Sequence, residues 1–216
     1  MEENNFSCVD CFKVTCNSQK FPYPEGCRTE EIAEEYFDET INMYLNEEEN
    51  MKILSAAAEI EGNFYCKLTR VEETVLFAKK IGAKKVGIAT CVGTIREART
   101  FAKILRANEI ETTGVACKVG NRDKTEIGIP EENKIKSGRH EPFCNPIMQA
   151  KVMNDEKVDL VVLMGLCVGH DTLFFKYCEA PVTVLFTKDR VTGHNAAQPL
   201  YLTEGYYGKL LKPQKL

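Results

Sequence analysis

Four cysteines lie where chemistry is expected, at the ends of strand-length segments or just before a helix. Cys91 and Cys117 each follow such a segment, and Cys167 lies in a glycine-flanked turn after a third. Cys144 directly precedes an Asn-Pro pair, which is typical of a helix start. Because the carboxyl ends of parallel strands meet at one edge of a sheet, we expect these thiols to converge. Thiolates converging in this way are the ligands of iron–sulfur clusters, so the sequence predicts one [4Fe-4S] centre at this edge.

The alternative interpretation of a single strand-end cysteine is that it packs as a small hydrophobic residue. Four cysteines at comparable positions favour shared ligation over this alternative. Cys66 and Cys178 lack such a placement and are expected to pack in the core. Glycines beside the four cysteines should let backbone amides approach the sulfurs and any bound cofactor. These glycines are Gly93, Gly120, Gly165 and Gly169.

A second cysteine set lies at the N-terminus, where residues 1–28 carry little apolar periodicity. It consists of Cys8, Cys11, Cys16 and Cys27. A segment without its own core needs a cross-link, which a metal could supply. The Cys-x2-Cys-x4-Cys spacing with a distant fourth cysteine resembles ferredoxin spacing, although the order is not a standard one. A second [4Fe-4S] cluster is therefore expected, with a structural zinc ion as the alternative.

Polar side chains accompany the central cysteines. His170 follows Cys167 closely and is interpreted either as a ligand or proton donor or as a histidine that is hydrogen-bonded near the start of its helix. Lys188 and Arg190 follow the last predicted strand at the same edge. They could bind an anionic substrate or offset the charge of a cluster, or they could belong to a solvated charge run.

The predicted elements alternate between strands and helices, which favours an α/β fold. We expect a parallel, Rossmann-like sheet with helices on both faces and a switch point between the first and third strands, so that Cys91 and Cys167 face each other there. Capping boxes are expected at Thr69–Glu72 and Thr94–Glu97. The expected strands are Lys85–Thr90, Glu111–Ala116, Val158–Leu163 and Pro181–Phe186.

Three segments follow from these elements: a cysteine-rich segment over residues 1–28, a helical connector over 29–66 and the Rossmann-like domain over 67–216. Roughly 25 polar residues precede Cys144, and a loop of such length is typical of a lid or binding loop.

Composition narrows the classes of function. The chain has 216 residues, of which 44% are hydrophobic, and a net charge of -4. This mild charge gives no reason to expect a nucleic-acid partner, and no apolar run is long enough for a membrane span. The acidic N-terminus does not resemble a secretory signal, so a cytoplasmic location is expected. The sequence also lacks the glycine-rich nucleotide-binding fingerprints.

The central motifs are similar to those of a known family. The runs Gly165–Asp171 (GLCVGHD) and Lys188–Asn195 (KDRVTGHN) resemble an uncharacterised cysteine-rich family that occurs mainly in anaerobic bacteria and archaea. The segments around Cys91, Cys117 and Cys144 and the N-terminal Cys-x2-Cys-x4-Cys run match its pattern too. The resemblance covers nearly the whole chain and implies metal binding in an anaerobic cytosol. It implies no particular reaction.

Three hypotheses about function follow. The first is an iron–sulfur oxidoreductase, in which the N-terminal cluster relays electrons to a catalytic cluster and His170, Lys188 and Arg190 contact a small substrate. The second is an electron carrier or metal-handling protein without a substrate, and the third is a structural zinc protein. The expected partners are a redox protein or a small molecule, and a homo-oligomer is compatible with the sequence.

Overall fold

Four β-strands form one parallel sheet in the computed structural model of the chain, which describes residues 7–18 and 22–213. The strand order is β2-β1-β3-β4. The strands are β1 (Lys85–Thr90), β2 (Glu111–Ala116), β3 (Leu160–Met164) and β4 (Val182–Phe186). The predicted α/β fold with a parallel, Rossmann-like sheet is confirmed. The order changes direction between β1 and β3, so the predicted switch point is confirmed as well.

The helices precede, connect or follow these strands. They are α1 (Arg28–Glu31), α2 (Glu34–Asn46), α3 (Glu48–Phe64), α4 (Arg70–Lys80), α5 (Ile95–Ala107), α6 (Pro146–Asp155) and α7 (His170–Tyr177). Within the described ranges, each helix is too short or too polar to cross a lipid bilayer.

Alternate residues of the strands point to opposite faces of the sheet, as the period of a strand requires. One face carries Val86 and Ile88, and helices α4 and α5 pack on it. The other face carries Val161 and Leu163, and α6 and α7 pack there, with Phe174 of α7 fully buried. Helices therefore cover both faces, as predicted, and the strand ends are held rigidly between two cores.

Strand β3 begins two residues later than predicted. The side chain of Asp159 accepts hydrogen bonds from the amides of Lys84 at 2.7 Å and Lys85 at 2.8 Å, so it caps the start of β1. At its other end, β3 extends to Met164, which pairs with Phe186 across an irregularity in the ladder. This shift places Gly165 directly at the sheet edge.

One of the two predicted capping boxes is wrong. The box at Thr69–Glu72 is present and opens α4. In Thr94–Glu97, however, the threonine makes no capping hydrogen bond to α5. The Thr94 hydroxyl is buried and can donate to the carbonyls of Cys91 at 3.1 Å and Met164 at 3.2 Å. It therefore links the turn after β1 to the end of β3. Its role is to position these strand ends, where the predicted site lies, and not to cap the helix.

The predicted loop between β2 and α6 contains short 3-10 turns and an ion-pair network. We call residues 118–143 the 118–143 loop. Lys134 Nζ lies 2.8 Å from both Asp123 Oδ1 and Glu131 Oε2, and Lys124 Nζ lies 2.7 Å from Glu141 Oε1. Because the Lys134 side chain is only 5% exposed, the network fixes the loop from within.

The chain divides into two compact units, Met1–Ala58 and Glu59–Leu216. The predicted segments 1–28, 29–66 and 67–216 are not tested by this division and stay predictions. Of the two cysteines expected in the core, Cys178 is half-buried and packs against the second core face. The expectation for Cys66 is wrong, because Cys66 is exposed in a turn after α3.

Candidate thiolate site at the strand ends

Backbone hydrogen bonds of the sheet bring three cysteine-bearing segments together. Cys91 follows β1 and Cys117 follows β2, and the Cys117 amide donates to the carbonyl of Thr90 at 2.8 Å. The Asn145 amide donates to the Cys117 carbonyl at 2.7 Å, which fixes the start of α6 and the adjacent Cys144 at the end of β2. The backbone hydrogen bonds alone therefore bring three chain segments together.

Three of the thiols are in hydrogen-bonding contact. The sulfurs of Cys117 and Cys144 lie 3.7 Å apart, and the Cys117 thiol also bonds to the sulfur of Cys91. The Gly93 amide donates to Cys91 Sγ at 3.4 Å. Since Cys117 is only 2% exposed, it is the central and deepest member of this cluster.

The contacts divide the three thiols into one proton holder and two thiolates. The hydrogen bond from Cys117 lowers the pKa of Cys91 to about 5, with help from the Gly93 amide and Lys188. The hydrogen bond from Cys117 likewise lowers the pKa of Cys144 to about 4. The bonds to Cys144 and Cys91, together with burial, raise the pKa of Cys117. Cys91 and Cys144 are therefore the more acidic thiols of the cluster, and Cys117 holds its proton most tightly.

Two basic side chains, His170 and Lys118, lie beside the Cys144 thiol. His170, the first residue of α7, hydrogen-bonds to Cys144, and this bond raises the pKa of its imidazole. Lys118 hydrogen-bonds to Cys144 and also donates to the carbonyl of Pro142. An acidic thiol beside a histidine and a lysine is the arrangement of a reactive or metal-binding cysteine.

Cys167 lies on the other side of the switch point and has its own cation. Arg190 Nη2 donates to Cys167 Sγ at 3.4 Å. The Lys188 amide donates to the Leu166 carbonyl at 3.0 Å, which extends the β3–β4 pairing beyond the strands. The Lys188 ammonium lies over Gly93, where an added Cβ would be 3.4 Å from Nζ. The segment after β4 therefore delivers two cations to the thiol edge.

A cavity of about 870 Å³ opens above this edge. Cys91, Cys144 and Cys167 line it, and so do the predicted polar residues His170, Lys188 and Arg190. The 118–143 loop supplies part of its wall. The lining also includes apolar side chains of the 118–143 loop, among them Ile127, Ile129 and Ile135.

The four predicted glycines have different roles. Gly93 brings its amide to a sulfur, as expected. The Gly165 amide instead donates to the Phe186 carbonyl at 2.8 Å, and a Cβ on Gly165 would lie 2.7 Å from Thr94 Oγ1. Gly120 and Gly169 have positive φ angles with open space around them, so they serve the turns.

Two residues near the site were not singled out from the sequence. Gln149 of α6 is fully buried and donates to the carbonyls of Thr90 at 3.1 Å and Val115 at 2.9 Å. It ties the ends of β1 and β2 together beside the thiols. The other residue is Lys118, which lies beside Cys144. Their proximity to Cys144 and Cys117 in the sequence is a signal, but a polar residue at the fourth position of a helix does not by itself indicate burial.

The N-terminal cysteines lie on short turns. Cys8 and Cys16 are exposed in 3-10 turns, Cys11 is half-buried, and Cys27 is buried just before α1. Across residues 7–18 and 22–213, no three histidine, cysteine, aspartate or glutamate side chains are arranged to hold a metal ion. Metal ligation by either cysteine set therefore stays a prediction.

The chemistry of the strand-end donors fits a thiolate-bound metal centre. Two thiolates on one tetrahedral ion, each about 2.3 Å from it, would lie roughly 3.8 Å apart. The Cys117–Cys144 separation of 3.7 Å is close to this value. The thiolates around an iron–sulfur cube are farther apart, at roughly 6–7 Å. A change of one χ1 rotamer displaces a cysteine sulfur by roughly 3 Å, which makes up the difference.

Comparison with known proteins identifies a family and no activity. Residues 27–185 match the family described as "Protein of unknown function (DUF1847)". The chain is also 41% identical over 208 residues to the uncharacterized protein MJ0455 of Methanocaldococcus jannaschii, which covers 95% of this chain and 98% of that protein. The similarity includes the segments that carry all four strand-end cysteines. The chain therefore belongs to the DUF1847 family.

Proposed function

We propose that the protein is an iron–sulfur redox protein that acts on a small molecule at the strand-end cysteines. The observation that supports it most is the gathering of four thiols from four chain segments at one sheet edge, where three of them line one cavity. Cys91, Cys117 and Cys144 are in contact, and Cys167 is held beside the same cavity by Arg190. Bound there, an iron–sulfur cluster would supply one-electron transfer.

The surrounding residues suit a cluster held by anionic ligands. Lys188 and Lys118 lie near the Cys91 and Cys144 thiolates, and Arg190 donates to Cys167. These cations offset the negative charge that ligation concentrates at the site. Cys117 would have to lose its proton to become a ligand, and its bonds to Cys144 and Cys91 raise its pKa, so metal binding would have to displace that proton.

The open cavity favours an enzyme over a closed electron carrier. Three of the four thiols line a space that remains accessible, and His170 lies in the same wall. A carrier needs its centre enclosed by four ligands and protein, whereas a catalytic centre keeps a position for substrate. His170 is placed to exchange a proton with a molecule bound there.

The test is anaerobic purification followed by iron, zinc and acid-labile sulfide analysis. We expect brown protein with iron and sulfide in similar amounts and broad absorption in the blue. Cys167→Ala should strip or convert the central cluster. Cys178→Ala is the matched control, because that half-buried cysteine packs in the core without a sulfur partner. Colourless protein with stoichiometric zinc and no sulfide would exclude the iron–sulfur proposal.

A second candidate is metal-free thiol chemistry, which the 3.7 Å Cys117–Cys144 contact favours. A low-pKa thiolate beside a protonated thiol and a histidine is typical of nucleophilic or redox-active cysteines. Iron-free protein that loses these two thiols reversibly on mild oxidation would support this candidate. Retention of both thiols as metal ligands in the iron-loaded protein would exclude it.

A further inference from the structure

We infer that the cavity above the thiols binds an organic anion with an apolar body. This inference deepens the proposed function, on which it rests, by naming the substrate class of the same site. Its evidence is the set of hydrogen-bond donors and apolar side chains that the cavity presents.

The cavity presents cationic donors that remain unused. Within residues 7–18 and 22–213, the Lys188 ammonium makes no hydrogen bond and has no carboxylate partner, although its charge acts on Cys91. Arg190 uses one N–H on Cys167, and a guanidinium carries several more. The thiolates offset part of this positive charge but do not use up the donors. A ligand that satisfies them must bring acceptor oxygens, as carboxylates and phosphates do.

The carboxylates in the cavity wall do not satisfy these donors. Glu141 Oε1 lies 2.7 Å from Lys124 Nζ. Asp189 Oδ1 accepts from the amides of Val191 at 2.9 Å and Thr192 at 3.0 Å, within its own turn. Both carboxylates are therefore engaged within their own loops, and neither pairs with Lys188.

Part of the cavity lining is apolar and partly exposed. Ile127 is 53% exposed and Ile135 is 85% exposed, although both belong to the cavity lining. Ile129, Phe143 and Leu173 continue the same wall. Apolar side chains grouped around a cavity mouth typically mark a ligand site. The volume of about 870 Å³ suits an organic ligand and exceeds what an inorganic oxyanion fills.

Calorimetric titration with straight-chain carboxylates from butyrate to decanoate tests the inference, because heat of binding is read independently of protein colour. We expect affinity to rise with chain length, by up to roughly fourfold for each fully buried methylene. The alcohol of the same length has the same apolar body without the anion. It should bind roughly tenfold more weakly or worse, since it loses charge-assisted hydrogen bonds.

Two variants test the cationic part and the apolar part of the site separately. Lys188→Met should weaken every carboxylate by roughly tenfold and leave the alcohols unchanged. Ile135→Ser should reduce the dependence on chain length and keep the preference for the anion. Lys103→Met, an exposed substitution on α5, is the matched control and should change neither.

The outcomes distinguish this inference from the proposed function. Equal affinity for acids and alcohols, or no effect of Lys188→Met, would overturn the inference whatever the metal content. Iron and sulfide are measured on the same samples. Lys188-dependent binding of carboxylates to protein without iron or sulfide would support the anion site while the iron–sulfur proposal fails.

Discussion

The two cysteine sets differ in what holds their thiols in place. At the strand ends, the sheet and the Asn145–Cys117 hydrogen bond fix the backbone, and Cys117 bonds to both Cys91 and Cys144. In the N-terminal unit, Cys8 and Cys16 are exposed on turns of three residues each. One set is preorganised by a hydrophobic core, whereas in the described part of the other set the cysteines lie on or beside short turns and only Cys27 is buried.

The difference has an energetic consequence. A preorganised site has already lost the conformational freedom that binding would otherwise remove, so the metal contributes little to folding there. A site on short turns is ordered by its ligand, and binding free energy becomes folding free energy. We therefore expect metal to matter structurally at the N-terminus and chemically at the strand ends.

Metal removal should produce the largest difference in behaviour between the N-terminal cysteine segment and the strand-end site. Anaerobic chelation should raise amide hydrogen exchange over residues 8–27 by orders of magnitude, because short turns alone protect amides poorly. Exchange in β1 and β3 should stay slow, since both strands are buried between two layers of helices. Exchange mass spectrometry with and without chelator measures this, and equal changes in both regions would refute the difference in preorganisation.

The next largest effect is expected from deletion of residues 1–28. We expect the truncated chain to lose one metal centre and to keep the sheet folded, since both core clusters of the sheet lie within Val71–Phe186. Iron content and thermal melting, compared with the full chain, give the result. Unfolding of the sheet, or loss of all iron, would show that the two regions are not independent.

The fold could be predicted because local signals agreed with it. The three strand-length segments that precede Cys91, Cys117 and Cys167, separated by helical patterns, leave few arrangements other than a parallel sheet. The same rule placed the cysteines at one edge, so the candidate site followed from topology. The sequence resemblance indicated the same residues and an uncharacterised family.

The roles of Thr94, Lys134 and Gln149 could not be predicted, because they depend on tertiary contacts that sequence spacing does not encode. Thr94 fits a capping box locally, but its buried hydroxyl meets the carbonyl of Met164, 70 residues away. Lys134 and Asp123 pair within a loop that has no periodicity. Gln149 is polar in a helix yet fully buried. In each case a distant partner decides the role, and a single sequence does not name that partner.

Alkylation of the metal-free protein tests the electrostatics of the preorganised set. Because Cys144 has a pKa of about 4, its iodoacetamide rate should be constant near neutral pH and fall as pH drops through that value. The contact with Cys117 contributes most to this lowering, so Cys117→Ala should move the midpoint upward most. His170→Asn should move it upward less. Peptide mass spectrometry resolves the site.

Cys178 is the internal control for that experiment. Burial raises its pKa, so it should react slowly at pH 5 to 7 and gain reactivity only in alkaline solution. An unchanged Cys144 midpoint in both variants would show that its neighbours do not set its acidity.

The smallest expected effect concerns the 118–143 loop, which completes the preorganised site. Lys134 holds the pKa of Asp123 well below its usual range, aided by the amides of Thr125 and Glu141. This carboxylate therefore stabilises the fold above its unfolded pKa of about 4, and the contribution is lost as pH falls through the lower folded value. Lys134→Met should lower the melting temperature by a few degrees at pH 7 and by progressively less below pH about 4. Lys136→Met, at an exposed position in the same loop, is the matched control. Equal melting temperatures for the two variants, or a difference that grows as pH falls, would show that the loop does not depend on this ion pair.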